Sequence, residues 1–318
     1  MAIVTFFAPE LWDAIETMAY FLALEKVCDV RLATRCEGGD ERAEHPWILQ
    51  RTRLFGGIEL VPYDGTPQHS DILVFYLVRN GRVSDRFDGW RARAKSVVYL
   101  SPTEGPLTWR DWLRETVRSF PHYLGARRIR FTPYLHPKFI ANSEWLKASF
   151  APVQVDAPRQ WRLGFLGNRE PPERTVRLAQ CKGAIAGAES RVNWREYGGW
   201  ETIEPRGLAP MEYMQALSDL DFCLSPPGWG LQWTHRTIEA LVRGAIPVLE
   251  DPQAHGLDLR DGENCIIAKS DDWGSAVRRA LNYAEADVRR MRGNVVALRE
   301  SQLLPHKAID RFRSELLA

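Results

Sequence analysis

The 318-residue chain lacks most of the features that mark a specialised protein class. No apolar run approaches the roughly 18 residues a membrane-spanning helix needs, so any contact with a membrane is expected to be peripheral. The opening MAIVTFFAPELWD has neither the basic start nor the long apolar core of a signal peptide, and a cytoplasmic location is the expectation. Cysteines are few: Cys28, Cys36, Cys181, Cys223 and Cys265. They form no Cys-x-x-Cys pair, which fits a reducing compartment and offers no metal-ligand spacing. An excess of charge is missing too. With 42 basic and 41 acidic residues the formal net charge is +1, which argues against a general electrostatic role on nucleic acid or anionic lipid. The one compact basic cluster, Arg127, Arg128 and Arg130, reads as solvated surface. Internal repeats and low-complexity tracts are absent, which excludes solenoid and disordered classes.

What is present describes an ordinary globular protein, with 45% hydrophobic and 26% charged residues. The length suggests about two domains. Apolar runs at residues 3–8, 30–33, 58–62, 72–77 and 96–100 read as strands, and residues 11–27 carry apolar side chains at helical spacing. Residues 151–159 hold two prolines and no period, and read as an interdomain connection. A second alternating series follows, with strands at 161–166, 221–224, 245–249 and 265–268. Its helices fall at 172–181, 210–220, 234–243, 270–285, 286–300 and 308–317. Strands alternating with helices imply parallel sheets. The expectation is therefore an α/β protein of two Rossmann-like domains, residues 1–157 and 158–318, with the last helix packing back on the first.

The most informative stretch is DFCLSPPGWGLQWTHRTIEALVRGAIPVLED, residues 221–251. A strand delivers the chain to Ser-Pro-Pro-Gly-Trp-Gly. Gly228 and Gly230, flanking Trp229 after Pro226, allow a close backbone approach. A helix capped by Thr234 follows, and its N-terminal amides suit an anionic phosphate. Arg236 sits in the first turn, where the helix dipole disfavours a cation unless a negative partner is present. A diphosphate would be such a partner, gripped by the planar guanidinium. Glu239, three residues on, lies on the same face. A carboxylate only accepts hydrogen bonds, so it can take both protons of a ribose diol. Gly244 ends the helix, and the next strand brings Glu250 and Asp251 to the sheet edge, where an acid can accept from sugar hydroxyls. The plainer alternative is a tight turn with Trp229 in the core and Arg236–Glu239 as a surface pair.

This stretch resembles the exostosin-type glycosyltransferases. The matching residues are Tyr213, Leu217, Ser218, Phe222-Cys223-Leu224, Pro226, Gly228-Trp229-Gly230, Arg236, Glu239-Ala240-Leu241, Gly244 and Ile246-Pro247-Val248. The resemblance implies a GT-B architecture, two Rossmann-like domains facing across a cleft. It also implies a UDP-sugar co-substrate, inversion at the anomeric carbon, and no essential metal or other cofactor. Arg236 would then meet the diphosphate and Glu239 the ribose. By the same resemblance the loop Gly167-Asn168-Arg169 and Arg174 would serve the donor phosphates. Pro227 departs from the family pattern, which has a basic residue there.

The expected activity is transfer of a hexose or pentose to a glycan, lipid-linked oligosaccharide or other hydroxyl acceptor, as in polysaccharide biosynthesis. Without a metal, arginines and helix-terminal amides would neutralise the leaving diphosphate. Inversion needs a base on the acceptor hydroxyl. The candidates follow strands of the N-terminal half, in the order Glu104, Glu10, Asp64. Trp12, Trp109 and Trp112 stand near the same loops and could stack on a sugar. Two other classes share these features: a nucleotide-sugar epimerase or hydrolase, and a non-catalytic nucleotide- or glycan-binding protein. The sugar, the acceptor, the stereochemical course and the oligomeric state are not legible.

Overall fold

The computed structural model describes residues 1–8, 19, 22–23, 26, 28–34, 58–75, 81–101, 124–130, 147–169, 172–197, 208–228 and 234–317. The elements run β1 (Ile3–Phe7), β2 (Asp29–Thr34), β3 (Ile58–Pro62), β4 (Ser70–Phe75), α1 (Gly81–Arg91), β5 (Ala94–Ser101) and β6 (Arg127–Arg130). They continue β7 (Trp161–Asn168), α2 (Pro172–Ile185), β8 (Val192–Tyr197), α3 (Pro210–Ser218), β9 (Leu220–Leu224), α4 (His235–Val242), β10 (Ile246–Leu249) and β11 (Ile266–Ile267). Three helices close the series: α5 (Trp273–Asn282), α6 (Glu285–Leu298) and α7 (Pro305–Leu317). The backbone divides into two compact units. One comprises Met1–Pro102, Thr108–Asn142 and Ala308–Ala318, the other Thr103–Leu107 and Ser143–Lys307.

The first unit holds a six-stranded sheet, ordered β3-β2-β1-β4-β5-β6, with every pair parallel. This is the doubly wound order, in which the chain reverses direction across the sheet between β1 and β4. The central strands are mostly apolar: Phe6, Phe7, Leu73, Val74 and Phe75 are all buried, as strands covered on both faces must be. On one face Phe87 and Trp90 of α1 join Phe7, Leu73 and Phe75 in a single cluster. Trp90 Nε1 donates to Tyr63 O at 2.8 Å, so the indole is buried without an orphaned donor. The sequence reading missed α1, because GRVSDRFDGWR carries little apolar material besides those two anchors. The arginine cluster forms edge strand β6, where Arg127 and Arg128 are exposed and Ile129 is buried. Helix α7 contributes Phe312, stacked on Phe6 at 6.5 Å, and Leu316 O, which accepts from Arg127.

The second unit holds a five-stranded sheet, ordered β11-β10-β9-β7-β8 and parallel throughout. From β7 the chain steps outward to β8, then returns past β7 to lay down β9, β10 and β11 on the other side. The point of reversal therefore lies between β7 and β9, where sheets of this kind leave a crevice beyond the carboxyl ends of the strands. Strands β9 (LDFCL) and β10 (IPVL) are buried at every position. The expectation for 221–243, strand then turn then helix, agrees with β9 and α4. Strand β8 was not anticipated.

Residues 151–159 do not behave as a free connection. They lie inside the second unit, and arginines from three places fasten carbonyls along residues 148–157. Arg243 donates to Ala148 O at 2.6 Å and Ser149 O at 3.2 Å. Arg299 donates to Phe150 O and Ala151 O, and Arg292 to Val155 O and Ala157 O, all within 2.9 Å. A proline-bearing stretch outside any ladder still has buried carbonyls to satisfy, and long guanidinium arms reach them. The long segment of the second unit begins at Ser143. Among the described residues no helix is long and apolar enough to cross a membrane.

Candidate functional site

The reversal point of the second sheet gathers side chains from β7, α2, α3, β9 and α4. Strand β9 ends in Leu224, and Ser225 keeps the chain beside β10 by donating its amide to Val248 O at 2.8 Å. Pro226 and Pro227 are buried and Gly228 is half-buried. Thr234 then caps α4. Its backbone is extended and its hydroxyl accepts from Thr237 N, which is the geometry expected of an N-cap threonine. The helix ends at Arg243, followed by Gly244 at φ +74°, where a Cβ would come within 2.4 Å of Val153 Cγ1. Left-handed backbone and close approach together require glycine there.

Helix α4 is buried almost all round: Arg236, Thr237, Ile238, Glu239, Ala240, Leu241 and Val242 are all inside. The surface ion-pair reading of Arg236 and Glu239 is therefore excluded. Arg236 reaches across to β7. Its Nε donates to Leu166 O at 3.0 Å, and its guanidinium stands 4.7 Å from the centre of the Phe165 ring. Phe165 in turn packs on Trp194 of β8, with ring centres 5.4 Å apart. The Nη2 end of the guanidinium also lies against Gly167. An ideal Cβ on that residue would stand 1.9 Å from Nη2, so only glycine leaves room. Nη1 is buried and has no hydrogen-bond partner among the described residues.

Arg174, from the first turn of α2, points to the same place. Its Nη1 donates to Asn168 O at 2.8 Å and its Nε to Pro227 O at 3.1 Å. The side chain thereby ties the β7 loop to the β9 loop. Burial, reinforced by the neighbouring positive charge of Arg236, lowers its pKa to about 9. It stays charged near neutrality, at a cost. Two arginines thus sit side by side, held by main-chain carbonyls.

Glu239 is 3% exposed. Its Oε2 accepts from the hydroxyl of Tyr213, on α3, at 2.6 Å. Tyr213 itself is buried, and burial together with the Glu239 charge holds its pKa well above 10. Under the same helix, burial pushes the Cys223 thiol up to about 12, so it is an inert filler rather than a nucleophile.

Several sequence expectations are corrected here. The amides at the start of α4 are not all available. Thr234 N donates to Nε2 of His255 at 3.3 Å, and Thr237 N is bound by the cap. His255 is 1% exposed, and burial lowers its pKa to about 4, so it is a neutral acceptor. No motif announced it. Glu250 has protein partners: its carboxylate is gripped by Arg177 through two nitrogens and by Trp273 Nε1 at 2.8 Å. Asp251 caps a turn, its Oδ1 accepting from Gln253 N at 2.9 Å. Arg169 is exposed and near Glu196, at 4.0 Å, outside the buried cluster. In the first unit, Asp64 is exposed in the turn after β3, at the sheet edge rather than at the β1–β4 reversal. Trp229, Gly230, Glu10, Glu104, Trp12, Trp109 and Trp112 lie outside the described residues. So Gly167, Asn168, Arg174, Pro226, Gly228, Thr234, Arg236 and Glu239 are brought together, Asp251 lies beside His255 next to the start of α4, and Arg169 and Asp64 stand apart. Among the described residues no three His, Cys, Asp or Glu side chains gather as metal ligands would.

No family model and no curated protein sequence matches the chain. Solved structures do. A glycosyltransferase from Rickettsia africae superposes with a TM-score of 0.59 at 7% identity, covering 98% of this chain and 97% of its own. The N-terminal domain of the trehalose-6-phosphate phosphatase of Candida albicans gives 0.58 at 10% identity, covering 99% and 96%. HepE of Anabaena, solved with UDP and glucose, gives 0.56 at 11% identity over the whole of both chains. At such identities the likeness establishes the fold, which is that of the GT-B glycosyltransferases.

Proposed function

We propose that this protein is a glycosyltransferase that binds a nucleotide-sugar donor at the β7–β9 reversal point. The carrying observation is the pair of buried arginines, Arg174 and Arg236, fixed by carbonyl oxygens beside the capped start of α4. Two adjacent buried cations are costly unless an anion joins them. A diphosphate supplies the charge, and Nη1 of Arg236 offers it a buried donor. Glu239 then meets the ribose. Cationic groups set in place before reaction also stabilise charge that grows on a departing diphosphate. UDP is the favoured nucleotide, because a protein of this fold, HepE of Anabaena, was solved with it.

The finer reading follows the exostosin-type resemblance: inversion, no essential metal, a glycan or lipid-linked acceptor, and a base from Glu104, Glu10 or Asp64. The test is calorimetry of UDP against the wild type, Arg236→Ala and Arg174→Ala, each checked by thermal melt. The proposal expects affinity to fall by roughly tenfold or more in each variant. Unchanged affinity in both folded variants defeats it. UDP release that needs an added acceptor favours transfer over hydrolysis.

A further inference from the structure

We infer that Tyr213 is a positioning residue that sets the Glu239 carboxylate for a vicinal diol and makes the site selective for ribonucleotides over 2′-deoxyribonucleotides. The inference rests on the donor-site reading above and adds to it a residue and a selectivity.

The two groups come from different helices, 26 residues apart, and meet at 2.6 Å in the interior. That distance belongs to the short class of O–H···O⁻ bonds to an ionised acceptor. Tyr213 is anchored at its own end. It lies in the first turn of α3, whose start is fixed by Pro210 and by Glu212 Oε2 accepting from Ala209 N at 3.1 Å. A phenol on a buried ring has few rotamers, so its hydroxyl is a fixed point. Glu239, with three side-chain torsions, is the mobile partner, and the bond at Oε2 removes most of that freedom.

The chemistry of the partner matters as much as its position. An arginine there would neutralise the carboxylate. A tyrosine hydroxyl gives one proton and no charge, so the negative charge remains for a ligand. Burial and the Glu239 charge keep the phenol protonated at any physiological pH, so it always donates. With Oε2 occupied along one direction, the remaining lone pairs of the carboxylate accept from outside the protein. Two adjacent hydroxyls of a ribose match that capacity, and a 2′-deoxyribose leaves one acceptor site unmatched. Sites built around a hydrogen bond discriminate strongly against the analogue that lacks the group, because the buried acceptor goes unpaired.

The experiment is calorimetry of the full chain with UDP and with 2′-deoxy-UDP, for the wild type, Tyr213→Phe and Glu239→Gln, each with a thermal melt. The wild type is expected to prefer UDP by about tenfold or more. Glu239→Gln abolishes the preference. Tyr213→Phe weakens UDP by about tenfold, leaves 2′-deoxy-UDP nearly unchanged, and brings the ratio towards one. If Tyr213→Phe does not fold, Glu239→Asp replaces it, since it keeps the charge and withdraws it from the phenol; the same collapse of the ratio is expected. A full ratio retained in Tyr213→Phe, or in Glu239→Asp, while Glu239→Gln loses it, overturns the role of Tyr213 and leaves the donor site standing. A wild type that binds UDP without preference overturns the diol assignment and this inference with it. A wild type that binds no UDP overturns the donor site itself.

Discussion

Replacing Gly167 with alanine tests the heart of the site without touching a polar group. The new methyl would stand 1.9 Å from Nη2 of Arg236, 2.9 Å from Cζ and 3.3 Å from Nε. Carbon and nitrogen rest in contact at about 3.5 Å, so the guanidinium must retreat by well over an ångström. Retreat takes it off the Phe165 ring, 4.7 Å away, and off Leu166 O, bonded at 3.0 Å. The clash moves the end of a side chain, a modest overpacking of about 1–2 kcal/mol, and the alanine must also hold φ +157°, a backbone conformation that L residues rarely adopt, at about another 1–3 kcal/mol of stability. The binding cost is separate. One displaced charge-assisted hydrogen bond to a diphosphate is worth about 1.5–3 kcal/mol, or roughly 10- to 150-fold in UDP affinity. Calorimetry on four proteins measures it: wild type, Gly167→Ala, Arg236→Ala and the double variant. With Arg236 truncated the methyl has room, so Gly167→Ala should then cost less than about threefold, and the cycle should show a coupling above about 1 kcal/mol. Equal losses in both backgrounds would refute the argument, since the glycine would then matter for a reason other than Arg236.

Glu250→Ala leaves Arg177 without its carboxylate in a largely buried place, their side chains being 14% and 8% exposed. It should lower stability by about 3–5 kcal/mol in denaturant titration and leave UDP affinity of the folded protein unchanged. His255, whose pKa is pushed by burial down to about 4, takes up its proton more readily in the unfolded chain, near pH 6.5. Its neutral form therefore favours folding above that pH, and the advantage should fade by about 3 kcal/mol as pH falls from 6.5 to 4; the wild type should lose that much more than His255→Gln over the window in parallel urea titrations. Pyrophosphate alone should raise the melting temperature of the wild type by mass action and leave that of Arg174→Met nearly unmoved; equal shifts in the two proteins count against an anion site at Arg174.

The architecture was largely legible because parallel sheets announce themselves. The runs at 72–77, 221–224 and 245–249 are too short for buried helices and too apolar for exposed strands. Elements that escaped notice owe their structure to few side chains. Helix α1 is held by Phe87 and Trp90, and β8 (VNWREY) keeps its charges on an edge. Within the site, Arg236, Glu239, Thr234 and Gly228 could be placed because all lie on one segment between a strand and a helix, where spacing converts directly into geometry. Partners from elsewhere could not. Nothing in the sequence near His255 tells that its ring meets Thr234 N, 21 residues away, or that Glu250 rather than a ligand occupies Arg177. An acid at a strand end reads the same whether it faces a sugar or an arginine. Residues 151–159 misled for a related reason: proline and absent periodicity mark irregular backbone, but only long-range arginines decide whether such backbone is loose or fastened.

The arrangement around Arg236 runs against stability at several points at once. A cation stands in the first turn of a helix, against the dipole. A second cation lies next to it, with burial and that neighbour holding its pKa near 9, well below the usual arginine value. A nearby carboxylate, Glu239, is given a tyrosine instead of either arginine. Here Leu166 O and the Phe165 ring draw Arg236 towards β7, and Tyr213 draws Glu239 towards α3. Each neutral partner fixes a charge in place without cancelling it. The helix thus presents positive and negative groups separately, which suits a ligand that carries its own separation of phosphate and diol.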